Sequence, residues 1–455
     1  MSFYDNLINN FPQVKPPSQK KLGFNEKLKW TGVILGLYFL LTLIPLYGLG
    51  ENALEQFRFL SMILGASFGS IVSLGIGPIV TASIVLQLLN GSGIVNFELT
   101  KPDGRRRFQG TQKILAVFFI VIEAIIFVVM GGLRPEVGIS SSVLIFQLIL
   151  GGLFILFMDE IVSKYGFGSG VGLFIAAGVS QEIVIQLFNP LPSPFNPDVP
   201  SGAIPVIITS LGAGETMIAS IQVMAIIATI AVFAFVVFVQ AMKVEIPLSF
   251  GRVKGHGVRW PLNFLYASVI PVILVSALIA NIQLLARLFE NMNMPIFGTF
   301  DGEIPSSGLV FWFSSPNVLE EIVIGTFSLT ILGQALTYIV VFVLGATVFS
   351  IFWVQTAGLD AGSQAKQMMA SGLQVPGFRR DQRVLERLLK RYIGPLTVMG
   401  GISIGLLASV ADLTGAIGTG TGILLAVMII YKIYEEIAKQ HMYDMNPMMR
   451  KFMAD

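Results

Sequence analysis

The chain has 455 residues, 54% of them hydrophobic and 12% charged, with a net charge of +2 and a mean hydropathy of +0.77. So apolar a composition excludes an ordinary soluble domain. The absence of cysteine excludes disulfides and thiolate chemistry.

Ten apolar stretches run at 30–48, 71–89, 114–129, 143–158, 171–188, 217–241, 264–285, 322–352, 396–410 and 417–431. A chain in lipid must satisfy its backbone hydrogen bonds within each segment, so these stretches predict ten transmembrane helices and an all-α membrane protein. The eighth is longer than the roughly 20 residues a bilayer needs, which predicts a tilt or a projection beyond it. The first thirty residues lack the charged start, short apolar core and small-residue cleavage site of a removable signal peptide.

Basic residues sort sharply along this series. All 29 Lys and Arg except Arg58, Arg134 and Arg287 fall in the amino-terminal segment, the even-numbered connections or the tail. The positive-inside rule then places both termini in the cytoplasm of a multi-pass cell-membrane protein. The outer connections differ in composition. Asn189–Pro200 holds prolines at 190, 192, 194, 197 and 200, a stiff non-helical connection, and Asn291–Pro316 is rich in Gly, Ser and Pro. The connection after the eighth stretch ends in 381–391, where Leu385, Leu388 and Leu389 share one helical face and arginines take the others. Such a helix lies on anionic lipid or docks something acidic, such as ribosomal RNA.

Stretches one to five and six to ten form two sets of five. If the sets share a fold, the odd count inverts one relative to the other, as in many transport proteins. The fifth opens with the glycine string 166–172 and the tenth with 415–422, an internal echo that permits close backbone approach or a broken helix. The expected organisation is a cytoplasmic segment 1–29, a first half 30–188, an external loop 189–216, a second half 217–434 and a cytoplasmic tail 435–455. Basic cytoplasmic loops at 243–261 and 355–392 belong to the second half.

Reactive chemistry at depth is sparse. His256 and His441 lie outside the stretches, so no His-paired nucleophile or HExxH helix is available in the bilayer. Glu123 is an acid well inside the third stretch; it is either functional or simply bonded to a polar neighbour. Asp159 and Glu160 sit at the cytoplasmic end of the fourth stretch, within reach of water. An enzyme is not expected, nor any catalytic residue, metal or cofactor. A secondary transporter shares the inverted halves but calls for more buried charge. An apolar passage suits no ion, because dehydrating one against Ile and Val is unfavourable. It suits a large, heterogeneous solute such as a polypeptide.

The stretch Ser70–Leu89, with its Gly75-Ile-Gly-Pro78 break, closely resembles the signature of the SecY family, the central channel subunits of protein translocases. The likeness continues in Asp159–Gly170, Val244–Leu248, Ile270–Ile273 and Gly377–Arg379, and Phe108–Lys113 is closer to the archaeal branch. It covers nearly the whole chain. The resemblance implies an hourglass channel of two inverted halves that moves unfolded polypeptides across the membrane and releases transmembrane segments sideways into lipid. It implies a pore ring of Ile76, Val80, Val171, Ile175, Ile273 and Leu425, for which ordinary core packing is the plain alternative. It implies a plug helix at 57–68 (otherwise an external loop helix) and a lateral gate holding Thr81, Glu123 and Asn281. Val269 stands where relatives often carry asparagine, which lowers the polarity expected of the gate. Ribosome binding is implied for Arg252, Lys254, Arg379 and Arg380. Implied partners are a SecE-like subunit and a small third subunit in a heterotrimer, the ribosome, signal-sequence-bearing nascent chains and membrane lipid. The chain holds no Gly-x-x-x-x-Gly-Lys-Ser/Thr loop, so a partner must supply the push.

Overall fold

A computed structural model describes residues 12–17, 22–52, 67–91, 94–95, 97, 102–129, 132–192, 200–250, 257–267, 270–291, 294–301, 304–370, 373–374 and 381–445. The chain divides into two compact units, Met1–Glu182 with Ile429–Asp455, and Ile183–Met428. Long helices dominate both, and each of the ten expected spans meets one.

In the first unit, α1 (Phe24–Thr42) stops short of the expected residue 48. Pro45 follows closely, and a proline disfavours the helical conformation in the residue before it. Strand β1 (Leu49–Asn52) comes next, then α2 (Gly77–Gly91). The expected second span began at 71, but 71–76 are turns rather than helix. Gly75 takes φ +53°, a conformation that favours glycine, and the helix starts with Pro78 in its first turn. Helix α3 (Pro102–Val129) starts well before the apolar residues and carries basic residues at its beginning. Strand β2 (Leu133–Pro135) pairs antiparallel with β1, Leu49 opposite Pro135 and Asn52 opposite Leu133. Helix α4 (Ser141–Tyr165) is capped by Ser140, whose hydroxyl accepts from the Ser142 N–H. A Cβ on Gly151 of α4 would lie 1.7 Å from the Ile71 carbonyl oxygen, so glycine there admits the broken approach to α2. Helix α5 (Gly170–Phe188) follows after a short turn.

In the second unit, α6 (Ala203–Ala213) lies inside the stretch read as an external loop, and is ended by Gly214 at φ +81°. Helix α7 (Thr216–Ala241) leads into strands β3 (Lys243–Phe250) and β4 (Gly257–Asn263). These pair antiparallel from Lys243 opposite Asn263 to Ser249 opposite Gly257. Helix α8 (Ile270–Asn291) replaces the expected 264–285 and places Pro271 in its first turn. A two-residue hairpin, β5 (Phe300–Asp301) and β6 (Ile304–Pro305), and the short α9 (Gly308–Phe313) follow.

The overlong eighth span is a correction. It is not one helix: α10 (Val318–Ile324) ends at Gly325, with φ +82°, and α11 (Leu329–Thr356) restarts behind Ser328, whose hydroxyl accepts from Ile331 N–H. After α12 (Ala361–Ala370), strand β7 (Leu373–Gln374) adds to β3, Ser249 opposite Gln374. Helix α13 (Gln382–Leu413) runs without interruption from the amphipathic segment into the ninth span, and α14 (Gly420–Met445) closes the series.

The face of Leu385 and Leu389 is therefore not laid on lipid. Both are buried in a core with Ile246 and Leu262 of the sheet, Val354 of α11, and Ala365 and Met368 of α12, while Leu388 packs at its edge. Among the described residues, α3, α4, α5, α7, α11 and α13 are long and apolar enough to cross a membrane. Shorter apolar stretches lie at Gly77–Leu86, Ala203–Ala213 and Ile270–Ile279.

Candidate functional site

The first-unit residues expected at a constriction stand at the starts of two helices. Ile76 is fully buried, and its carbonyl accepts from the amides of Ile79 (3.1 Å) and Val80 (3.0 Å), so the first turn of α2 is built on it. Val80 is half-buried. Serines secure the approach: Ser70 donates to the Ser67 carbonyl (2.7 Å), Ser73 donates to that of Ser70 (2.5 Å), and Gly69 N–H donates to Ser73 Oγ (2.9 Å). Backbone bonds from Leu46 N–H to the Gly69 carbonyl and from Ile71 N–H to that of Ile44 tie this approach to the end of α1. On α5, Val171 is half-buried and Ile175 buried.

The start of α5 is fixed from outside its own helix. Asp159 of α4 accepts from Val171 N–H at 2.9 Å, and a Cβ on Gly170 would meet the Asp159 Cα at 2.5 Å. Glu160, beside it, accepts from Lys113 Nζ (2.5 Å) and Lys164 Nζ (2.8 Å). The acids expected merely to meet water thus have defined partners.

The second unit repeats the arrangement. Asp412 of α13 accepts from Thr421 N–H (2.7 Å), from the Thr421 hydroxyl, and from Tyr338 OH (2.7 Å). Gly415, Gly418 and Thr419 take φ values of +60°, +78° and +65°. Gln186 and Thr229 receive the freed amides of Gly418 and Ile417, each at 2.9 Å. Leu425 is fully buried on α14 and Ile273 half-buried on α8. Reading spans by hydropathy missed Asp412, which falls just past the expected end of the ninth. The usable signal is an acid shortly before a glycine string, as at Asp159.

Of the gate residues, Thr81 on α2 donates to the Gly77 carbonyl at 2.9 Å and is the side-chain hydrogen-bond partner of Glu123 on α3. Asn281 lies on α8; its side chain is outside the described ones. The plug segment 57–68 falls outside the described residues except for 67 and 68, as do Val269, Arg252, Lys254, Arg379 and Arg380. Among the described residues no cluster of His, Asp or Glu could hold a metal ion.

Residues 70–434 match the SecY family, and 37–69 match the plug domain of Sec61p. The chain belongs to the SecY family. A protein translocase subunit SecY from Methanothermobacter thermautotrophicus is 46% identical over 99% of this chain and 98% of its own. A second, from Pyrococcus furiosus, is 42% identical over 97% and 96%. These bear out the archaeal resemblance. Among solved structures, a protein-conducting channel superposes with a TM-score of 0.80 at 38% identity, covering 96% of this chain and 97% of that one. Sec61 from a canine ribosome–channel complex of the endoplasmic reticulum gives 0.78, also at 38% identity, with the same coverage. This SecY-family chain is a multi-pass membrane protein and a subunit of a protein-conducting channel; the secondary transporter is not favoured.

Proposed function

We propose that this chain threads unfolded polypeptides through a ring of Ile76, Val80, Val171, Ile175, Ile273 and Leu425. Shut, such a ring excludes water and ions because it offers them nothing to replace hydration. Open, flexible aliphatic side chains close around whatever segment passes. The observation that carries this reading is the seating of Ile76. It is buried at a helix start made by a glycine break, where a plain span would continue as helix.

Around the ring, 57–68 acts as the plug, and Thr81, Glu123 and Asn281 form a polar seam at the lateral gate. Intramembrane polar contacts contribute only about 1 kcal/mol each, so an entering signal sequence or apolar helix can replace them. Arg252, Lys254, Arg379 and Arg380 form a basic docking face for the ribosome. The nascent chain is pushed from there, and the subunit itself catalyses no reaction. A SecE-like subunit and a small third subunit complete a heterotrimer in the cell membrane, with both termini cytoplasmic. Support comes from the sorting of basic residues and from the ribosome-bound state of the canine Sec61 relative.

The test is basal ion conductance of the purified complex in planar bilayers. Ile76→Asn and Ile175→Asn are expected to wet the constriction and leak, and conductance equal to wild type would remove the ring.

A further inference from the structure

Two carboxylates outside the proposed ring occupy corresponding places in the two halves. Asp159, near the end of α4, holds the Val171 amide with the Gly170 amide beside it. Asp412, near the end of α13, holds the Thr421 amide with the Gly420 amide beside it. In both, glycine permits the approach: a Cβ on Gly420 would lie 2.0 Å from the Ala411 carbonyl carbon, as one on Gly170 would crowd Asp159. Four residues beyond each held amide stands a buried aliphatic side chain, Ile175 in one case and Leu425 in the other.

The first amides of a helix have no acceptor within it. An ordinary cap supplies one from the residue just before the helix. Here the acceptor comes from the preceding helix, so it fixes height and rotation relative to a neighbour as well as satisfying a donor. At α14 a local cap is present in addition, Gly422 N–H donating to Thr419 Oγ1 at 3.2 Å. Residues four apart share a helix face, and each residue advances about 1.5 Å along the axis. A shift of one residue at the tied amide would carry Ile175 or Leu425 out of the plane of the ring.

We infer that Asp159 and Asp412 are paired positioning residues that set the height of Val171, Ile175 and Leu425 so that the aliphatic ring seals. This rests on the ring proposed above. The sequence echo of the glycine strings is its trace: each string lets a helix start close enough to be held by the helix before it.

The experiment measures basal conductance of the heterotrimer in planar bilayers, normalised to folded complex, for Asp→Ala and Asp→Glu at each position and for Asp159→Asn. Asparagine at 159 keeps an amide-accepting oxygen for the Val171 amide and is expected to stay as tight as wild type. At 412 it would set an NH2 group against the Tyr338 and Thr421 hydroxyls, so it is not used there. Alanine removes the acceptor and glutamate displaces it by a methylene. Both are expected to leak about tenfold above wild type, the shift in a closed–open equilibrium expected on losing one charge-assisted hydrogen bond. If the alanine variants fail to assemble, the glutamate variants decide. Tight alanine and glutamate variants beside a leaking Ile175→Asn would overturn the positioning role and leave the ring intact. Asp159→Asn as leaky as Asp159→Ala would assign the effect to charge and overturn it too. A tight Ile175→Asn would remove the ring and this inference with it.

Discussion

Helices α7 and α13 are both apolar enough to span a membrane, yet they live in different surroundings. In α7 only Ala219, Ala228, Val236 and Val239 are buried, and Phe233, Phe235 and Phe238 stand exposed. In α13 burial extends from Leu385 to Leu413 and includes Gly400, Gly401, Gly405 and Ala408. The difference lies in side-chain size rather than hydropathy. Lipid is as apolar as leucine, so helices associate where small residues let backbones approach. A Cβ on Gly401 would stand 2.9 Å from the Thr347 Cα, and one on Gly405 2.8 Å from that of Val343. Helix α7 carries Phe233, Phe235 and Phe238 on a face that the rest of this chain leaves uncovered.

The contrast breaks most readily at the glycines. Gly405→Leu is expected to push α11 away at a cost of about 3 kcal/mol or more, since backbone rather than a side-chain tip must move. Size-exclusion chromatography of the solubilised complex should show almost no folded species; a normal yield would mean the α11–α13 contact is looser than described. Next comes Leu389→Ala, which empties a buried site and is expected to cost about 3 kcal/mol, read as a lowered midpoint of thermal unfolding. Thr229→Val on α7 removes the acceptor of the Ile417 amide and is expected to cost about 1 kcal/mol. Smallest is Phe235→Ala on the exposed face, expected within about 0.5 kcal/mol of wild type in lipid nanodiscs. A large loss there would place α7 against protein instead.

The position of each span was legible because hydrophobicity is a local property. Boundaries were less so, and the misses share a cause. Residues 71–76 are nearly as apolar as the helix after them, and only Gly75, Gly77 and Pro78 mark the break. Gly325 splits the eighth span for the same reason. The sheet was legible in principle: Val244, Ile246, Leu248 and Phe250 alternate, as do Val258, Trp260 and Leu262. The basic residues around them suggested a solvated loop, which hid that period of two.

The site divides in the same way. Ile76 could be marked by its motif, whereas the Asp412–Thr421–Tyr338 contact joins residues 74 positions apart and leaves no local mark. The glycine strings were visible, but not what they accommodate. Leu385 and Leu389 were correctly put on one face, yet their partners Ile246 and Leu262 lie more than a hundred residues earlier.

That last contact bears on how the protein can be taken apart. Since α13 begins among Ile246, Leu262, Ala365 and Met368 and continues unbroken into the bundle, the segments after the sixth and eighth spans make a single folded module with a shared interior. Swapping or trimming either one alone would strip the root of the ninth span. A graft from a relative would have to carry both segments together, cut within the spans rather than at their rims.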